Sequence, residues 1–172
     1  LYHAITIYLE IYIYKVLFFM DKTDLKILEY LQLDTSLSIS DLSSRIGLSQ
    51  TPCWRRIQNL ENQGVIRKRV ALLDRVKLNV GVTVFVSLKT SQHSLEWLTK
   101  FNQIVVDIPE VLEFYRMSGG VDYLLKVVVP DIAAYDAVYK RLIERIDLFD
   151  VSSAFAMEEI KCETQLPLEY SV

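Results

Sequence analysis

GLSQTPCWRRIQNLENQG, residues 47–64, decides how the chain is read. Glycines punctuate both ends, and between them apolar residues recur at helical spacing. The pattern predicts a helix beginning at Ser49, running to about Gln63, with Gly64 as its stop. At about 100° per residue, Cys53, Ile57 and Leu60 share one face, which must be the buried one. Arg55 lies nearly opposite, with Thr51 and Gln58 on one side of it and Asn59 on the other. Trp54 and Arg56 flank the core. Cys53 therefore points inward as a small packed side chain, and no histidine stands nearby to activate it as a nucleophile. Pro52 falls in the first turn, where a missing N–H costs nothing.

Working outward, SDLSSRIG (40–47) fits a shorter helix capped by Ser40 and closed by Gly47. Before it, DKTDLKILEYLQLD (21–34) places Leu25, Ile27, Leu28 and Leu31 at helical spacing, with a cap at Asp21 or Thr23. Three short helices, the last two joined by a Gly-Leu-Ser turn, describe a helix-turn-helix. Such a motif presents the start of its last helix to base edges in the major groove. There Arg suits guanine, and Asn or Gln suits adenine. Gln50, Thr51, Arg55 and Asn59 are therefore the candidate base readers, with Gln58 a lesser one. Arg45 and Arg56 are assigned to phosphate. Arg67, Lys68 and Arg69 open a strand-like wing suited to phosphate contacts that position without specifying. A solvated helix face is the bland alternative, and the basic wing tips the balance towards DNA.

The formal net charge of -3 conceals a division. Residues 20–81 carry ten Lys/Arg against seven Asp/Glu, whereas residues 82–172 carry eight against fourteen. A basic front module is thus joined to an acidic rear one with another task. Only Cys53, Cys162, His3 and His93 are present of the soft or imidazole ligands, in no metal-binding spacing. Two distant cysteines make no disulfide framework, which fits a reducing cytoplasm. No carboxylate pair or Ser/His/Asp set appears by spacing, and His93 stands alone beside a helix start, so an enzyme is not expected. Residues 1–19 are rich in Tyr and Ile and begin without Met. They are barely long enough to span a membrane, and Glu10 and Lys15 interrupt them. They are expected to be an extension from a start called too early, with the natural chain beginning at Met20.

After a linker at 74–81 the order is strand, helix, strand, turn, strand, helix, strand over residues 82–172. That βαββαβ order predicts a ferredoxin-like sandwich, so the fold class is α+β with a winged helix-turn-helix at 20–73. Two helices cover only one face of such a sheet. In VDYLLKVVV, Tyr123, Leu125, Val127 and Val129 line one face, yet Leu124 and Val128 make the other apolar as well. The open face is therefore expected to be buried against a second copy. In the turn MSGGVDY, Gly119 and Gly120 bare backbone N–H groups that could hold a carboxylate, and Asp122 could receive an ammonium. An ordinary hairpin turn with a solvated Asp is an equal reading of that spacing.

DKTDLKILEYLQ, GLSQTPCWRRIQNLENQGVI, ALLD and SGGVDYLLKVVVPDIAAYDAVY together resemble the Lrp/AsnC ("feast/famine") transcriptional regulators, over essentially everything from Met20 onward. The resemblance implies a DNA-binding winged helix-turn-helix joined to a ligand-regulated, oligomerising αβ-sandwich. It implies homodimers that assemble into tetramers or octamers, and a small amino-acid effector bound between dimers. The implied effector residues are Ser118, Gly119, Gly120, Asp122 and Tyr123, with Ser152 and Ser153 as weaker candidates. Many members carry a second acid in this turn, where this chain has Gly119-Gly120-Val121-Asp122. TPCWRR, RVALLD, SLEWLTKF, PEVLEFYRMSG, YDAVYKRL and VSSAFAMEEIK are similar to a cysteine-responsive subgroup, which implies L-cysteine as effector.

Overall fold

The computed structural model describes residues 20–92, 94–145 and 148–171. The expectations for residues 1–19 and for His93 lie outside the described residues. The chain divides into two compact units, one of residues 20–71 with 162–171, the other Leu72–Lys161.

The front unit holds α1 (Lys22–Leu33), α2 (Ile39–Ile46) and α3 (Gln50–Asn62). Helix α1 starts at Asp21, the first of the two expected caps, through a reciprocal capping box with Asp24. The N–H of Asp24 in particular holds the Asp21 carboxyl below the usual carboxylate range. A depressed carboxyl stabilises the fold above its unfolded value, and that contribution is lost as pH falls through the folded one. Asp21→Ala should cost about 1 kcal/mol, read as a lower midpoint in thermal unfolding at neutral pH. Loss of the difference on acidification would confirm the carboxylate as its source.

The start of α2 corrects the expected cap. Ser38, not Ser40, is the N-cap: its Oγ accepts from Asp41 N at 3.1 Å and donates to Asp41 Oδ2 at 2.6 Å. Ser40 lies inside the helix, where its carbonyl accepts from the Ser43 hydroxyl. Gly47 closes α2 in the left-handed region at φ 73°, which a Cβ would disfavour. Ile27, Leu28, Leu31, Leu42, Cys53, Ile57 and Leu60 form the core of this unit. Each fully buried aliphatic side chain contributes about 1.5–3 kcal/mol.

Two features of the front unit differ from expectation. Residues 67–74 form no ladder among the described residues, so the strand expected of the wing is absent; an extended segment becomes a strand only with a hydrogen-bonded neighbour. Residues 162–171, assigned to the sandwich by sequence, pack with the helices instead. The side-chain amide of Gln32 exchanges hydrogen bonds with the backbone of Leu166, at 2.6 and 3.3 Å. Leu168 packs against the helical core.

The rear unit is a four-stranded antiparallel sheet in the order β2-β3-β1-β4, from β1 (Val82–Lys89), β2 (Val111–Arg116), β3 (Tyr123–Val129) and β4 (Asp150–Phe155). Helices α4 (Leu95–Val106) and α5 (Ile132–Ile143) complete the expected βαββαβ order. Val84, Val86 and Leu88 of β1 face the helices with Tyr123, Leu125, Val127 and Val129 of β3. Phe101 of α4 is fully buried among them. Residues 74–81, expected as a linker, form an ordered turn. Asp74 Oδ1 accepts from Val76 N and Lys77 N, and Val80 N donates to Arg75 O. Asn79 takes positive φ there, a conformation Asn tolerates.

Candidate nucleic-acid interface and effector site

Helix α3 carries its apolar residues as expected, with Cys53, Ile57 and Leu60 all nearly inaccessible. Burial pushes the Cys53 thiol up, away from the thiolate that chemistry would need. The opposite face stays open: Gln50, Thr51, Arg55 and Asn59 are exposed. Their side chains meet no hydrogen-bond partner among the described residues, so a row of uncommitted donors and acceptors faces solvent. Trp54 is also half exposed, more so than a residue flanking the core should be.

The expected phosphate contacts divide. Arg67 and Lys68 are exposed and have no ion pair among the described residues. Arg45 lies 5.7 Å from the centre of the Tyr30 ring, a cation–π contact that leaves its charge at the surface. Arg69 is bound to Glu61 at 2.8 Å. Glu61 also accepts from Gln58 at 2.7 Å, which ties down that lesser base-reading candidate. Arg56 departs furthest from expectation. Its Nη1 lies 2.8 Å from both Asp21 and Asp24 of α1, so its guanidinium is paired within the unit although the side chain stays partly exposed. The sequence could not show this, because the two acids lie more than thirty positions away.

In the rear unit the turn after β2 leaves Ser118, Gly119 and Gly120 exposed, with Gly119 at φ 119°. The other expected effector residues are partly committed. Asp122 Oδ2 accepts from Thr90 N at 2.8 Å and Asp122 N donates to Leu88 O, so its carboxylate first serves the end of β1. Tyr123 turns its ring into the core, with ring centres 5.0 Å from Phe101 and 5.6 Å from Phe114. It therefore supports the turn from beneath rather than lining it. Ser152 and Ser153 point to opposite faces, as neighbours on a strand must. The Ser153 hydroxyl is hydrogen-bonded to the hydroxyl of Tyr135 on the helix-covered face, so it is not free for a ligand beside Ser152.

A winged helix-turn-helix DNA-binding model matches residues 20–67, and the Lrp/AsnC ligand binding domain model matches residues 83–166. The chain belongs to the Lrp/AsnC family. Among its Lrp/AsnC relatives, the glutamate uptake regulatory protein of Zymomonas mobilis is 51% identical over 149 residues, covering 87% of this chain and 91% of that one. The DNA-binding transcriptional activator DecR of Escherichia coli K12 is 48% identical over 151 residues, 87% of this chain and 99% of that one. An AsnC family transcriptional regulator from Agrobacterium tumefaciens superposes with a TM-score of 0.87 at 64% identity, covering 89% of this chain and all of that one. A Neisseria meningitidis transcriptional regulator, solved in complex with L-Met, gives 0.84 at 35% identity, covering 90% and 100%. Like these Lrp/AsnC proteins, the chain is a DNA-binding transcriptional regulator and not an enzyme. Among the described residues no helix is long and apolar enough to cross a membrane, and no cluster of metal-ligating side chains occurs.

Proposed function

We propose that this Lrp/AsnC regulator reads its operator with Gln50, Thr51, Arg55 and Asn59. We propose further that a small amino acid tunes its DNA binding or assembly in the cytoplasm. The observation that carries the DNA reading is the exposed, uncommitted polar face of α3, set opposite a fully buried apolar one. Arg45, Arg67 and Lys68 supply the phosphate grip, which makes affinity fall with salt.

For the effector, the exposed backbone of Ser118, Gly119 and Gly120 supplies donors suited to a carboxylate. The Asp122 oxygen not bonded to Thr90 remains to receive an ammonium. L-cysteine is the leading effector, from the subgroup motifs. The test is a titration with L-cysteine, L-methionine, L-leucine and L-glutamate, read as affinity for a bound duplex and as sedimentation. A response to cysteine alone supports the reading; indifference to all four removes the amino-acid effector.

The sheet face turned away from the helices supports the homodimer, with tetramers or octamers built from it. One end of that face is covered within the unit, where Arg75 hydrogen-bonds Thr83 Oγ1 at 2.6 Å and pairs with Glu159. Further along, Phe85 and Tyr115 stay exposed beside half-buried Leu124, around a Lys126–Glu113 pair. Two such faces brought together cover this apolar surface by two-fold symmetry. Phe85→Asp should convert the assembly to monomers at micromolar concentration, because two carboxylates would be buried per interface. Sedimentation at the wild-type mass would place the interface elsewhere.

A further inference from the structure

We infer that Arg56 is a positioning residue for DNA recognition, fixing the roll of α3 by clasping the capping box of α1. Each carboxylate of that box divides its oxygens between two tasks. Asp21 Oδ1 accepts from Thr23 N and Asp24 N at 2.8 and 2.9 Å, while Oδ2 takes Arg56 Nη1 at 2.8 Å. Asp24 Oδ2 accepts from Asp21 N at 3.1 Å, while Oδ1 takes the same Nη1 at 2.8 Å. The two acids are thus held in place by backbone N–H groups as well as by the guanidinium. The Asp24 side chain is only 16% exposed, so one side of the clasp is shielded from water.

Apolar packing through Cys53, Ile57 and Leu60 attaches α3 to the core but is non-directional, and it tolerates small rotations and slides. The charge-assisted hydrogen bond from Arg56 Nη1 to Asp24, with the ion pair to Asp21 beside it, fixes direction as well as distance. Arg55 and Asn59, proposed to read bases, line the same groove as Asp24 and Arg56. A change in the roll of α3 would displace both at once.

The experiment compares wild type, Arg56→Lys, Arg56→Ala and Asp24→Asn on one duplex selected for tight binding, over a range of salt. Circular dichroism first establishes that each variant is folded at the assay temperature. Lys keeps the charge and the capping box but replaces the rigid guanidinium with a flexible point charge, so Arg56→Lys isolates the clasp from the cap. Each variant should lose affinity by about tenfold, the scale of one poorly seated base contact. Non-specific binding and the salt slope should be unchanged. The sign for Asp24→Asn is the most telling readout, since removing an acid near DNA would by charge alone tighten binding. Wild-type or tighter binding by Asp24→Asn, or full affinity in Arg56→Lys, would overturn the inference. So would a salt slope reduced by about one in Arg56→Ala, the mark of a phosphate contact.

Discussion

Arg55→Ala should sharply weaken discrimination between the operator and unrelated DNA while leaving the fold intact. A base-reading arginine is worth about 1–3 kcal/mol, roughly fivefold to 150-fold in affinity. Arg55 stands opposite the buried stripe of α3 and meets no partner among the described residues, so its removal breaks nothing inside the protein. The loss should fall on the specific duplex, with non-specific affinity changed far less. Competition between selected and random duplexes measures the ratio directly. A uniform weakening on all sequences, with a salt slope lower by about one, would reassign Arg55 to phosphate.

Phe101→Ala should be the most damaging single change in the rear unit, costing about 3–5 kcal/mol. The ring is fully buried, 5.0 Å from the rings of Trp97, Phe114 and Tyr123 and edge-on to the last two. Edge-to-face contacts add to the area that the side chain hides from water. Its partners sit on α4, β2 and β3, so collapse into the space left would require three elements to move together. Because an oligomer's stability depends on protomer concentration, the denaturant titration must be made at one fixed concentration. A loss below about 1 kcal/mol would mean that the aromatic cluster repacks. Loosening beneath Tyr123 should also reach the turn that follows β2.

What the sequence reveals here follows from how local each cause is. The buried stripe of α3, the Gly47 stop and the alternation of β3 are set by residues a few positions apart, and all three are visible as spacing. The cap of α2 lies two positions before the expected one, because Ser38 and Ser40 are chemically equal candidates in the sequence. Only Asp41, placed to give and take a hydrogen bond with Ser38, decides between them. Distant partners are invisible to periodicity. Nothing local shows that Asp21 and Asp24 hold Arg56, that Thr90 takes an Asp122 oxygen, or that Tyr135 engages Ser153. The docking of residues 162–171 through Gln32 and Leu168 is hidden for the same reason. Thus the elements and the exposed polar face of α3 are legible in the sequence, whereas the commitments of individual polar side chains are not.

The most direct test of the central claim is selection from a random duplex pool by the full-length protein. Enriched sequences are then retitrated with Arg55→Ala. Sequence-specific reading by paired α3 helices predicts one enriched, pseudo-palindromic motif whose half-sites are spaced by about a whole number of helical turns. Arg55→Ala should bind that motif roughly fivefold to 150-fold more weakly per lost contact, with random DNA affected far less. A pool that stays random after repeated rounds, or a motif that Arg55→Ala binds as tightly as wild type, would contradict the account.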